Sequence, residues 1–364
     1  MMSNRSELLA AITRRTPSRL PYTFDAREET QRRLRQTLGV ADDADLADYF
    51  GCNRFTSLWS LLGDRPRLPE REARHAHDPA TVRTDIWGVK RELQVVNGAE
   101  YWEITEYPLA AAETVADIER YDWPTPEEVV FPAMPSGIDP LALKGDNVVL
   151  EMGYIFPFGI PWSMRGMEQM MIDLLIEPGI AEAIIAKAEQ FSLGCLQRLF
   201  ALYPGMIDLI GCGDDYGSQI SLLMGPDVIE RMFMPSLQRH YALGRQHGTH
   251  GYHHSCGAIF AMVPLFIAAG VEVLNPIQTS ATGMDPVRLK REFGKDLCFH
   301  GAIDTQQTLA TGTPAQVRAE VRQRVEELGP DGFILAPSHV MQPNVDPENI
   351  IALYDEVRTV GAWA

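Results

Sequence analysis

From Asn147 onward the chain alternates short apolar runs with longer amphipathic stretches. The runs are VVLEM (148–152), MIDLIGC (206–212), HGYHHSC (250–256), VEVLN (271–275), DLCFH (296–300) and GFILAP (332–337). Most are apolar at successive positions, which is the pattern of a strand covered on both faces. Between them lie segments of helical spacing: Pro226–His247, Asp285–Phe293, Pro314–Leu328 and Pro347–Val357. Thr313 precedes Pro314 and stands three positions before Gln316, a capping box with proline at the first helical position. Asp285-Pro286 and Asp346-Pro347 repeat the cap-then-proline start. Buried strands alternating with helices specify a parallel sheet.

The N-terminal part is less regular. An amphipathic first helix, capped by Ser3 or Asn4, leads into a short strand, Leu20–Phe24, and then a helix near Glu28–Leu38. Asp42–Phe50 reads as another helix. Alternating segments between Arg65 and Glu106, such as Tyr101-Trp102-Glu103-Ile104-Thr105, predict hairpins outside the main body, and the proline-rich stretch 123–140 is a connector. With Leu20–Phe24 there are about seven strand–helix units, which favours a closed barrel over an open sheet. The expected fold is therefore α/β, a distorted (β/α)8 barrel of TIM type with N-terminal additions. Its eighth strand is not legible in the pattern. A chain of 364 residues lies within the range that such barrels span as one domain. One domain over 1–364 is expected, with strand, helices and hairpin insertions in 1–145 and the main β/α units in 146–364.

Composition narrows the function. The formal net charge of −17 disfavours nucleic acid and anionic lipid as partners. No apolar run reaches the roughly 18 residues that span a bilayer, and the N-terminus lacks the apolar stretch of a signal peptide. The five cysteines, Cys52, Cys195, Cys212, Cys256 and Cys298, form no CxxC pair and no disulfide framework. A cytoplasmic enzyme acting on a small molecule is expected.

Barrel active sites gather where strands end, and here the strand ends are polar. Glu151 ends the first run; Asp214, Asp215 and Gln219 follow the second; His254 and Cys256 end the third. Asn275 and Gln278 follow the fourth, His300 and Asp304 the fifth, Ser338 and His339 the sixth. Helix capping accounts for Asp285 and Asp346 but poorly for Glu151, Cys256 and the histidines. In His254-Ser255-Cys256, residues i and i+2 of an extended segment point to one side, so an imidazole nitrogen and a thiolate reach one ion. Zinc accepts this pair, and a catalytic zinc takes a third protein ligand plus an open position; His339 is the candidate. The competing reading of Cys256 is a small buried apolar side chain. His250 and His253 are assigned structural roles.

The segments HHSCGAI, GVEVLNPIQTSATGMDPVRLKREFG, CFHGAIDTQQTL, GTPAQVRAEV and GFILAPSHVMQPNVDPENI resemble the uroporphyrinogen decarboxylase superfamily. They are similar in particular to its branch of cobalamin-dependent methyltransferases acting on methylcorrinoid and coenzyme M. The likeness runs from Asn147 to the C-terminus, with a weaker match over Arg19–Val40. It implies a distorted (β/α)8 barrel and, in that branch, zinc held by a His-x-Cys pair and a distant Cys, activating a thiol. His254 and Cys256 match the pair. The distant Cys falls in a motif similar to ALAPGC, which here reads Leu335-Ala336-Pro337-Ser338-His339. His339 then replaces a thiolate, making the site less negative by one charge. The decarboxylase branch relies on an N-terminal loop similar to RQAGRY. Here Arg19-Leu20-Pro21-Tyr22 runs into Thr23-Phe24-Asp25 instead. A porphyrinogen with eight carboxylates needs clustered guanidinium groups, and Arg165 alone lies near a strand end.

The resemblance and the residues together imply zinc-dependent methyl transfer between a corrinoid, carried by a partner protein, or a methylated small molecule, and a thiol or similar acceptor. In this reading His254, Cys256 and His339 hold Zn2+, and Glu151 closes the fourth position at rest. Asp214 and Asp215 orient substrate or serve as acid and base. Gln219, Asn275, Gln278, His300 and Asp304 hold its polar groups. Two alternatives stand beside it: a metal-free decarboxylase of a small carboxylate, with Asp214 or Asp215 as the acid, and a non-catalytic barrel that binds metal or corrinoid. Donor, acceptor and oligomeric state are not written in the pattern.

Overall fold

The computed structural model describes residues 3–74, 80–96 and 99–361. Its strands are β1 (Phe55–Thr56), β2 (Val82–Thr84), β3 (Lys90–Val96), β4 (Ala99–Glu106), β5 (Val148–Ile155), β6 (Leu209–Cys212), β7 (His250–His254), β8 (Val273–Ile277), β9 (Cys298–Ile303) and β10 (Phe333–Pro337). Seven of them form one sheet in the order β1-β5-β6-β7-β8-β9-β10, every pair parallel. The Tyr22 segment joins its two edges. Tyr22 bridges Leu335 in parallel, the Leu335 amide donates to Pro21 O at 2.9 Å, and the Asn53 amide donates to Tyr22 O at 2.7 Å. The result is a distorted (β/α)8 barrel, as the pattern predicts. Leu20–Phe24 contributes a single bridge rather than a full strand, because Pro21 has no N–H to extend the ladder. The missing eighth stave is β1, whose two residues are too few to make an apolar run. The helix expected at Asp42–Phe50 is shorter, Leu46–Phe50, with Asp45 as its N-cap.

Strand alternation decides what faces the lumen. Val148, Leu209, Tyr252, Val273, Cys298 and Ile334 pack into one buried cluster with Leu8, Ala11 and Ile12 of the first helix, Asn4–Ile12. That helix therefore closes the floor of the barrel. The alternate residues, including Val149, Ile210, Leu274, Phe299 and Leu335, belong to the larger cluster under the outer helices. A polar clamp fixes the floor: Asp208 accepts from the Arg5 guanidinium, from Lys144 Nζ at 2.8 Å and from the Val149 amide at 2.9 Å.

The hairpins expected between Arg65 and Glu106 form a three-stranded antiparallel sheet, β2-β3-β4. Trp102 and Ile104 share one face of it, opposite Leu93 and Arg91 on the neighbouring strand. No helix among the described residues is long and apolar enough to cross a membrane.

Candidate metal centre

Tyr252 points into the barrel, so the period of two along β7 sends His254 inward as well. His254 is the last residue of the strand, which puts its ring at the C-terminal mouth. Asn275 lies directly beside it in register on β8. His254 Nδ1 donates to Asn275 Oδ1 at 2.7 Å, and the Asn275 amide donates in turn to His300 O at 3.4 Å. Nδ1 is therefore the protonated nitrogen, and Nε2 carries the lone pair. That Nε2 lies 3.5 Å from Cys256 Sγ. His339 enters from the loop after β10, where Ser338 Oγ donates to Ile303 O at 2.8 Å and anchors the turn.

The structure brings the three expected metal-binding residues together: one donor atom each from His254, Cys256 and His339 lies within 4.8 Å of the other two. Two ligands in a tetrahedral zinc site, at bond lengths of about 2.0 and 2.3 Å, sit about 3.5 Å apart. The His254–Cys256 separation matches that edge as it stands. His339 is exposed and has room to close the remainder. The donor set, two neutral imidazoles and one thiol, fits zinc. Desolvation, then the neighbouring Asp215, pushes the Cys256 thiol up to about 12; a divalent cation would reverse that by favouring thiolate.

Asp215 sits at the edge of the cluster. Its Oδ1 accepts from the Cys256 amide at 2.7 Å and stands 4.0 Å from His254 Nε2. The carboxylate is half-exposed and also meets the Cys256 thiol. Beside it opens a cavity of about 610 Å3 lined by Cys256, His339, Gln219, Gln278, Gln306 and Gln342 among others. Gln278 Oε1 accepts from the Gly257 amide at 2.8 Å, and its amide donates to Gln219 Oε1 at 2.8 Å. Gln219 in turn donates to Ser280 O at 2.6 Å and accepts from Gln306 at 3.3 Å, so both carboxamides line the cavity while bonded to the protein, and Asn275 acts on His254 instead. No lysine or arginine lines this cavity among the described residues.

Besides Asn275, four expected site residues do other work. Glu151 aligns with Ile210 and hence with Gly251, three residues before His254, or about 10 Å down the strand. It also points outward, alternating with Leu150 and Met152, and accepts from the Leu58 amide and Ser57 Oγ. It caps the helix Leu58–Leu62 and does not approach the cluster. Burial pushes its carboxyl up to about 7. Asp214 is buried and spends both oxygens on the amides of Phe158 (2.7 Å) and Gly159 (2.8 Å), capping the helix Gly159–Arg165. Asp304 accepts from the amides of Gln306, Gln307 and Thr308 and shapes the turn after β9. His300 is buried with both ring nitrogens engaged, Nε2 with Thr23 Oγ1 at 2.9 Å and Nδ1 with the Tyr252 hydroxyl at 3.0 Å. It ties the first stave to the lumen, with both ring nitrogens spent on the protein.

Asp25, outside the expected set, follows the Tyr22 stave; desolvation raises its carboxyl while His339, Arg27 and His254 oppose the rise.

A uroporphyrinogen decarboxylase (URO-D) family model matches residues 74–360. A curated uroporphyrinogen decarboxylase from Thioalkalivibrio sulfidiphilus (strain HL-EbGR7) is 32% identical over 107 residues, covering 27% of this chain and 30% of that protein. The chain thus spans less than a third of the length of that relative. Among solved structures, a methyltransferase from Methanosarcina mazei superposes with a TM-score of 0.64 at 15% identity, covering 99% of both chains, and shares the fold. A B12-independent methionine synthase from Shewanella sp. W3-18-1, in complex with selenomethionine, gives a TM-score of 0.39 at 14% identity over 74% of each chain.

Proposed function

The chain belongs to the uroporphyrinogen decarboxylase family, and within that family we propose that it is a zinc-dependent methyltransferase. It would move a methyl group between a corrinoid on a partner protein, or a methylated small molecule, and a thiol or similar acceptor. The observation that carries this reading is the convergence of His254, Cys256 and His339 at one barrel mouth. Zinc bound there would lower the pKa of an acceptor thiol. The chain's own part is to fix the donors and move the proton. Asn275 holds the His254 tautomer, Asp215 fixes the Cys256 backbone, and the Asp215 carboxylate would take the thiol proton. The carboxamides of Gln219 and Gln278 would hold the polar end of the acceptor.

Two observations weigh against decarboxylation of a porphyrinogen. Among the described residues, the cavity at the cluster offers no guanidinium or ammonium to a polycarboxylate. Asp214, the buried acid, is committed to two backbone amides.

The test is zinc content per chain in protein purified without an affinity tag, followed by methyl-transfer assays with methylated donors and thiols, with and without corrinoid protein. Cys256→Ala should abolish both zinc and turnover, while Cys212→Ala and Cys298→Ala, whose thiols are buried elsewhere, should retain zinc. A zinc-free protein made with zinc in the medium, or full turnover by Cys256→Ala, would sink the proposal. Release of carbon dioxide from uroporphyrinogen at an enzymatic rate would assign the decarboxylase reading instead.

A further inference from the structure

A second cavity, of about 670 Å3, lies between the β2–β4 sheet and the barrel mouth, and the two cavities share Asp215 as a wall. Its lining is aromatic: Trp87, Trp102 and Tyr107 on the sheet side, Phe156 and Trp162 on the barrel side. Among its charged lining groups Asp85 and Arg91 pair at 2.6 Å and offset each other, Asp214 is spent on two backbone amides, and Asp215 remains as a half-exposed carboxylate. Ring faces carry negative quadrupole potential and attract organic cations. The Asp215 carboxylate in the same wall adds to that attraction and repels anions.

We propose that this cavity binds a methylated organic cation, a quaternary ammonium or sulfonium group on a small apolar body, as the methyl donor. The role as donor rests on the methyl-transfer reading; the binding does not. The charge suits the chemistry. The sulfur of a thiol co-substrate, after its proton passes to Asp215, supplies the electron pair of the new C–S bond. The pair of the broken bond returns to the onium heteroatom, which departs as a neutral amine or sulfide. Asp215, common to both cavities, lies between the cation and the His254–Cys256–His339 cluster.

The experiment is calorimetric titration of the full chain with choline and with 3,3-dimethylbutan-1-ol, the same shape without the charge. Choline should bind about tenfold or more tightly than the neutral alcohol. Trp162→Leu and Asp215→Asn should each weaken choline severalfold; Asp215 is exposed, so its variant tests the idea even where Trp162→Leu fails to fold. Trp102 is the poorer probe because Arg83 already stands 3.8 Å over its ring. Cys256→Ala should bind choline as the parent does, since Cys256 does not line this cavity. Equal affinity for the neutral alcohol, tighter binding of benzoate, or unchanged choline affinity in Asp215→Asn would overturn the proposal. Choline binding by a protein that takes up no zinc would sink only the metal reading. Zinc uptake with no choline binding would sink only this one.

Discussion

His254 Nδ1 donates to Asn275 Oδ1 at 2.7 Å while His254 Nε2 stands 3.5 Å from Cys256 Sγ. The two residues are register partners on adjacent strands, so the barrel's own hydrogen-bond ladder sets the ring. A partner that fixes tautomer and orientation is worth about 10- to 100-fold in metal affinity. Asn275→Leu should weaken zinc binding by that order, read by competition with a chromophoric chelator. Asn275→Asp keeps an acceptor at Oδ1 and should stay close to the parent. Equal zinc affinity in Asn275→Leu would show that His254 needs no such support.

The loops carrying Asp215 and Cys256 cross at two glycines. A Cβ at Gly257, whose φ is +90°, would lie 2.5 Å from Ser218 O, and one at Gly217 would lie 2.7 Å from Cys256 O. Both obstacles are backbone and cannot rotate away. Gly257→Ala should therefore separate the loops, displace Cys256 and cost about 1–3 kcal/mol in stability. Zinc content should fall sharply while far-ultraviolet circular dichroism remains that of a folded barrel. Normal zinc content at normal stability would mean that the crossing is looser than its contacts indicate.

The barrel and the convergence of three donors are legible in the sequence for a common reason. Parallel strands buried on both faces write themselves as apolar runs, and a side chain closing such a run lies at the barrel mouth. The strand-end rule misplaces Glu151 because Val148 to Met152 is apolar on both faces. Nothing in that run distinguishes lumen from helix side, and Glu151 falls on the helix side. Asp214 and Asp304 look like site acids because a carboxylate after a strand serves equally to bind backbone amides. Asp25 obeys the same rule as His254, but its stave is two isolated bridges, at Tyr22 and Ala26, in a segment of irregular pattern. The two residues of β1 leave no periodicity at all.

Asp208 is the hub of the barrel floor, with Arg5 and Lys144 as ion-pair partners. Lys144 is buried, and burial lowers its ammonium against the pull of Asp208. Removing the carboxylate strands that charge, and breaking a buried pair from one side costs about 3–5 kcal/mol. Asp208→Ala should lose stability of that order in urea unfolding. The double variant Asp208→Ala with Lys144→Met should recover a substantial part, because the uncompensated ammonium goes as well. Additive losses in the double variant would show that the clamp works through the Val149 amide alone.

Acid stability should be governed by buried histidines. His253 is fully buried, both its ring nitrogens lack a hydrogen-bond partner, and it packs 4.2 Å from the Phe266 ring centroid. Burial, with a smaller contribution from His254, pushes it down to about 3; burial does the same to His300. In the unfolded chain each would take a proton near pH 6.5. Between about pH 6.5 and 3 the unfolded state therefore binds protons that the folded state refuses, and stability is lost as pH falls through that window. Glu151 acts in the opposite sense. Its folded value of about 7 lies above the ordinary 4.5, so its contribution is present at low pH and lost as pH rises from about 4.5 to 7. His253→Leu removes two unpartnered nitrogens at nearly constant volume. It should raise stability at pH 5 more than at pH 7.5 and flatten the acid limb in urea unfolding. Glu151→Gln should steepen that limb, because the opposing contribution is gone. An acid limb unchanged in His253→Leu would mean that His253 meets a polar partner in solution and carries no penalty for its burial.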